Sequence, residues 1–129
     1  MSHPVAVGID AVEVDRIRRA VARTPRFAER TFTAAELAYC NEARDPAERL
    51  AARWAAKEAV IKCLGGGVPG IDLRTVEVVR DADGAPGVVL TAAAAARAAE
   101  RGIDTWLVSL THTTSIAEAV VIAMSSARS

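Results

Sequence analysis

Residues 46–64, PAERLAARWAAKEAVIKCL, constrain this chain more than any other stretch. Asp45 and Pro46 form an N-cap and first-turn pair, and a glycine run at residues 65–67 stops the helix they open. The segment predicts the longest helix of the chain. At about 100° per residue, Leu50, Trp54, Val60, Ile61 and Leu64 fall within about 120° of one another, a core stripe. Lys57 falls near the middle of that stripe, Glu58 at its edge, and Lys62 one turn further along the same side. Glu58 and Lys62 form an i, i+4 pair in the favourable order. On an ordinary helix Lys57 would lay its stem on the core and keep its ammonium in water. At the centre of a stripe the ammonium needs a buried partner or a ligand.

The remaining patterns place this helix in an α+β domain, a small, mostly antiparallel sheet with packed helices, spanning residues 1–129. VAVGIDAVEV predicts a strand to about Asp10, and a helix comes next over residues 14–23, ended by Thr24-Pro25. Thr33 and Glu36 have capping-box spacing and open a helix over AAELAYCNEA. LRTVEVVRD and GVVLT predict two strands around an Asp83-Gly84 turn. The Ala-rich AAAAARAAERG predicts a helix stopped by Gly102. TWLVSLTHT and IAEAVVIAM predict two more strands, and SSARS a frayed tail.

Sixteen basic residues balance sixteen acidic ones, so net charge supports neither general nucleic-acid binding nor an anionic membrane surface. Local clusters such as Arg16, Arg18 and Arg19 remain available to one acidic partner. Cys40 and Cys63 fit neither a disulfide framework nor a zinc pattern, and read as free thiols in a reducing compartment. MSHPVAVGID has no basic n-region, and no apolar run reaches the roughly 18 residues of a spanning helix. The expectation is a cytoplasmic protein.

Asp10 ends a hydrophobic strand directly after Gly8 and Ile9. With Glu58 it supplies two carboxylates, hard ligands suited to Mg²⁺, which fills its shell with water and substrate phosphates. Lysines bind phosphate as point charges, and the glycine run lets a ligand approach the backbone. The combination fits a metal-bound pyrophosphate. It is not a Walker loop, because the lysine precedes the glycines, and there is no GxGxxG. His112 closes a predicted strand and matters only if that strand end faces Asp10. His3 carries no functional expectation, and Trp54 and Trp106 read as core.

Four segments, GIDAVEVDRI, RFAERTFTAAEL, RWAAKEAVIKCLGGG and VSLTHT, together resemble the holo-acyl-carrier-protein synthases, small phosphopantetheinyl transferases, in order and spacing. The resemblance covers nearly the whole chain. It implies Mg²⁺-dependent movement of the 4′-phosphopantetheine arm from coenzyme A to a serine of an apo carrier protein, with release of adenosine 3′,5′-bisphosphate. On the matching positions, Asp10 and Glu58 hold the metal and Lys62 neutralises phosphate. Lys57 lies beside the phosphates or pairs with a metal-site carboxylate. Gly65, Gly66 and Gly67 line the nucleotide, Arg53 and His112 lie near the coenzyme A phosphates or adenine, and Arg16 and Arg26 meet the acidic carrier. The base that takes the serine proton is Glu58 or a metal-associated water. The family is typically a homotrimer with active sites between subunits. This chain has GGG where G-T-G is common, Ile116 where an aromatic is common, and Gly87 where a larger residue is common.

Two other functions use the same residues. One is a non-catalytic module binding a carrier protein or coenzyme A. The other is a metal-dependent hydrolase of a nucleotide pyrophosphate, with water as nucleophile. Fatty-acid and polyketide carriers both suit the transferase.

Overall fold

The computed structural model describes residues 1–65 and 70–127. Its elements track the local signals closely. Strand β1 (His3–Glu13) leads into helix α1 (Val14–Arg23), then a short α2 (Phe27–Thr31) and α3 (Ala34–Asn41). The long α4 (Pro46–Cys63) comes next, then a 3₁₀ turn (Leu73–Thr75) and strands β2 (Val76–Arg80) and β3 (Pro86–Leu90). Helix α5 (Ala92–Glu100) and strands β4 (Thr105–His112) and β5 (Ile116–Ser125) complete the chain.

The caps work as the sequence predicts. The Thr33 hydroxyl accepts from the Glu36 amide while the Glu36 carboxylate accepts from the Thr33 amide. Asp45 accepts from the Ala47 amide with Pro46 in the first turn of α4. Helix α4 ends at Cys63 and Gly65 takes φ +108°, a left-handed value that suits glycine. Gly66 and Gly67 lie outside the described residues. The Asp81 carboxylate accepts from the Asp83 and Ala85 amides, which shapes the turn around Gly84.

Among the described residues every strand pair is antiparallel, and the five strands split into two sheets, β1-β5-β4 and β2-β3. Strand β1 runs three residues beyond Asp10, to Glu13, because β5 pairs with it as far as Glu13 opposite Ile116. The first three residues of LRTVEVVRD form the 3₁₀ turn instead of strand, with Asp72 accepting from the Arg74 amide. RFAERTF, which carries no clear periodic signal, holds α2, and that helix starts from Arg26 at φ +74°. The tail is tied down further than expected. Ser125 is buried in β5, and Ser126 donates from its amide and hydroxyl to Asp104.

Helix α4 crosses the inner face of the larger sheet. Ala51, Ala52, Ala55, Ala56 and Ala59 are buried there opposite Ala117, Ala119 and Ala123 of β5. Small side chains on both surfaces bring helix and sheet close, Cys63 reaches the Val121 carbonyl of β5, and Leu50, Val60 and Leu64 are buried as well. The expected stripe is therefore only part of the buried surface. Trp54 and Ile61 sit at the margin, Trp54 against Phe27 with ring centroids 5.8 Å apart. Cys40 and Cys63 are both free and buried.

Candidate active site

Gly8 sets the geometry of the first cluster. A Cβ on it would meet the Ala59 carbonyl oxygen at 2.0 Å, so only glycine lets β1 lie directly on α4 at this level. Asp10, two residues on, points to the same face of β1, while Glu58 and Lys62 line the near edge of α4. The Lys62 ammonium donates to the Ile9 carbonyl at 2.6 Å and lies 3.4 Å from the Asp10 carboxylate. Burial pushes the Glu58 carboxyl above the usual carboxylate range and the Asp10 charge raises it further, while Lys62 and Arg16 pull it back. Asp10, Glu58, Lys62 and Arg16 thus form one electrostatic unit built from β1, α1 and α4.

The donor set suits a hard cation completed from outside the protein. The Asp10 charge adds to the cost of ionising Glu58, which a divalent ion relieves. Among the described residues no group of three His, Cys, Asp or Glu side chains could cage a metal. Two protein oxygens with the remaining positions left to water and phosphate is the pattern Mg²⁺ takes.

Lys57 stands elsewhere. Its side chain is 0% exposed and its ammonium lies 2.7 Å from Glu36, a carboxylate of α3 that the spacing presents only as a helix cap. It also donates to the carbonyls of Leu73 at 2.7 Å and Val76 at 2.8 Å, with the Phe32 ring 5.6 Å away. The sequence left Lys57 either beside phosphate or paired with a metal-site carboxylate; within this chain its partner is Glu36. The ammonium pairs with no metal-site carboxylate, and within this chain it has no exposed surface to offer a phosphate. Burial pushes the Lys57 pKa down, and Glu36 opposes that shift.

Arg53 and His112 come together in a cavity of about 480 Å³ that also takes in Tyr39, Glu48, Arg49, Arg80, Gly84 and Pro86. Three guanidiniums lie over the Tyr39 ring, those of Arg49 and Arg53 at 4.3 Å and Arg80 at 4.8 Å from its centroid. Arg80 donates to the Tyr39 hydroxyl at 2.6 Å. His112 lies 3.5 Å from Glu48. Tyr39, Arg49 and Arg80 have no sequence signature, because three separate elements bring them together. This cavity and the Asp10–Glu58 cluster are separate places in one chain. Arg53 and Glu58 are five positions apart on α4, about 140° around the helix. Arg16 and Arg26 are both exposed, Arg16 on α1 beside Glu58 and Arg26 at the start of α2.

Residues 6–121 match the family model described as the 4′-phosphopantetheinyl transferase superfamily. The chain belongs to this superfamily. Among 4′-phosphopantetheinyl transferase relatives, the holo-[acyl-carrier-protein] synthase of Salinispora arenicola is 49% identical over 120 residues, covering 92% of this chain and 97% of the relative. The Mycobacterium tuberculosis acyl carrier protein synthase structure is 40% identical, with a TM-score of 0.74 and coverage of 94% and 97% of the two chains. The Helicobacter pylori holo-[acyl-carrier-protein] synthase in complex with coenzyme A is 27% identical, with a TM-score of 0.79 and coverage of 92% and 99%. The phosphopantetheinyl transferase fold is thus common to relatives of varied sequence, and the α+β class with antiparallel sheets and packed helices is the one the sequence predicts.

Proposed function

We propose that this chain transfers 4′-phosphopantetheine from coenzyme A to a serine of an apo acyl carrier protein and releases adenosine 3′,5′-bisphosphate. The observation that carries the reading is the convergence of Asp10, Glu58 and Lys62 where Gly8 lets β1 rest on α4. Asp10 and Glu58 would hold Mg²⁺. That ion would supply charge stabilisation on the pyrophosphate oxygens.

The protein's own groups account for the rest. Lys62, held by the Ile9 carbonyl, keeps a positive charge beside the bridging oxygen where negative charge develops. Glu58, its pKa raised by burial and by Asp10, is suited to accept the serine proton, directly or through water. Arg53 and His112 would hold the adenosine end of coenzyme A, with Gly65 beside the nucleotide. Arg16 and Arg26 would receive acidic side chains of the carrier.

The outer face of the larger sheet supports a homotrimer. Val5, Val7 and Ile9 of β1, Val120 of β5 and Leu107 of β4 are all exposed there, and Val7 and Leu107 both pair with Ile122. A second copy on that face would also explain why the arginine cavity and the carboxylate pair are apart in one protomer. No helix of the described residues is long and apolar enough to cross a membrane, which accords with a cytoplasmic enzyme.

The test is mass spectrometry of an apo carrier protein incubated with coenzyme A and Mg²⁺. A 4′-phosphopantetheine gain is expected, and Asp10→Ala or Glu58→Ala should reduce its rate on the order of 10³-fold without unfolding. Full turnover in both variants would remove the metal assignment. Release of adenosine 3′,5′-bisphosphate without a carrier would mark a hydrolase, and coenzyme A binding without product a binding module.

A further inference from the structure

Leaving α4, the chain passes Leu64 and Gly65 and rejoins described structure at Gly70 before the 3₁₀ turn and β2. Both described ends of this connection are fastened by cations. At the upstream end Arg97 of α5 donates from Nε to the Leu64 carbonyl at 3.0 Å, one of the carbonyls a helix C-terminus leaves without a partner. The same guanidinium packs on Gly65. A Cβ there would meet Arg97 Nη2 at 3.1 Å and Arg101 Nη1 at 3.0 Å. At the downstream end Lys57 donates to the Leu73 and Val76 carbonyls. Glu36 neutralises it and, through its other oxygen, accepts from the Val78 amide at 2.8 Å.

We infer that Lys57 and Arg97 are positioning residues, which hold the two ends of this connection in register with Asp10 and Glu58. Lys57 and Glu58 are consecutive on a rigid helix. One reaches the 3₁₀ turn and the other faces Asp10, so α4 sets the distance between the connection and the carboxylate pair. Among the described residues neither the Lys57 ammonium nor the Arg97 guanidinium makes a hydrogen bond or ion pair with the side chains of Asp10, Glu58 or Lys62. Packing alone does not call for charge here. A buried ion pair is a weak stabiliser compared with apolar side chains of similar volume, whereas directed bonds to chosen carbonyls restrict geometry. Glu36 belongs to the same device, since its carboxylate lies 2.7 Å from the Lys57 ammonium and its other oxygen accepts from the Val78 amide.

The inference rests on the proposal that Gly65 lines the nucleotide. Calorimetric titration of the wild-type protein with coenzyme A and Mg²⁺ comes first. Absence of binding there would defeat the functional reading and, with it, the nucleotide role of Gly65 on which this inference rests. With binding established, Glu36→Gln and Arg97→Gln are compared with Lys57→Met. Arg97 is partly exposed, and its variant should fold normally. Each variant is expected to raise the coenzyme A Kd and KM roughly tenfold or more, with the Mg²⁺ concentration for half-maximal rate unchanged. If Lys57 touched phosphate directly, Lys57→Met would raise KM and Glu36→Gln would leave it alone, which overturns the Lys57 assignment. A wild-type KM in Arg97→Gln overturns the other half. Should Glu36→Gln fail to fold, Glu36→Leu with Lys57→Met removes both charges together, and the same rise in KM is expected of it.

Discussion

Gly8 and Ala59 stand so close that a Cβ on the glycine would lie 2.0 Å from the Ala59 carbonyl oxygen. The contact seats β1 on α4 and carries Asp10 to Glu58. Gly8→Ala must therefore part the two elements. It is expected to destabilise the fold by about 1–3 kcal/mol or more, as overpacking does, and to lower activity further than that loss of folded protein explains. Denaturant unfolding alongside transfer assays checks both. A variant with wild-type stability would contradict the contact.

Glu58 makes the pH behaviour of the metal-free protein predictable. Its folded pKa lies above the ordinary glutamate value, because of burial and then Asp10. Between those two values the folded state binds more protons than the unfolded state, so stability falls as pH rises through that interval. Glu58→Gln should remove this slope. Asp10→Asn should lower the Glu58 pKa partway, since burial remains, and Lys62→Met should raise it. Carbon-13 titration of the Glu58 carboxyl by NMR reads each shift directly.

Val7 is 68% exposed on β1, an edge strand of the larger sheet, where it pairs with Ile122 of the central β5. Val7→Glu should leave the protomer folded, because the side chain meets no core residue, and should reduce a trimer to monomers with loss of transfer. Sedimentation velocity decides the first point. A Val7→Glu trimer with full activity would move the interface to another surface.

Arg16 and Arg26 should separate in their effects. Arg26→Glu is expected to raise KM for the apo carrier and flatten its salt dependence while leaving KM for coenzyme A unchanged. Arg16→Glu should do the same and also raise the Glu58 pKa, because Arg16 is one of the two cations that lower it. Identical pH–rate profiles in the two variants would contradict that distinction.

Burial pushes the Cys40 thiol up to about 11, and Cys63 is raised by burial as well. Both should resist iodoacetamide in the native protein at pH 8 and react once it is unfolded, as peptide mass mapping would show.

What the sequence determined by itself was local. Thr33 with Glu36, Asp45 with Pro46, and Gly65, Gly84 and Gly102 mark where elements start and stop, because caps and turns depend on neighbours a few residues away. The motif segments were legible too, and with them the superfamily. Lys57 shows where that reading stops. The helical period places it toward the core but says nothing of what lies opposite. Its partner Glu36 is 21 positions away on another helix, already engaged in a cap. Only the packing of α3, α4 and the 3₁₀ turn around one ammonium shows the buried pair it makes with Glu36. The arginines over Tyr39 were hidden for the same reason, since α3, α4 and β2 each contribute part of the cluster and no spacing along the chain relates them. Local periodicity reports which way a side chain faces; long-range pairing is decided by which surfaces bury each other, and that exists only in the folded chain.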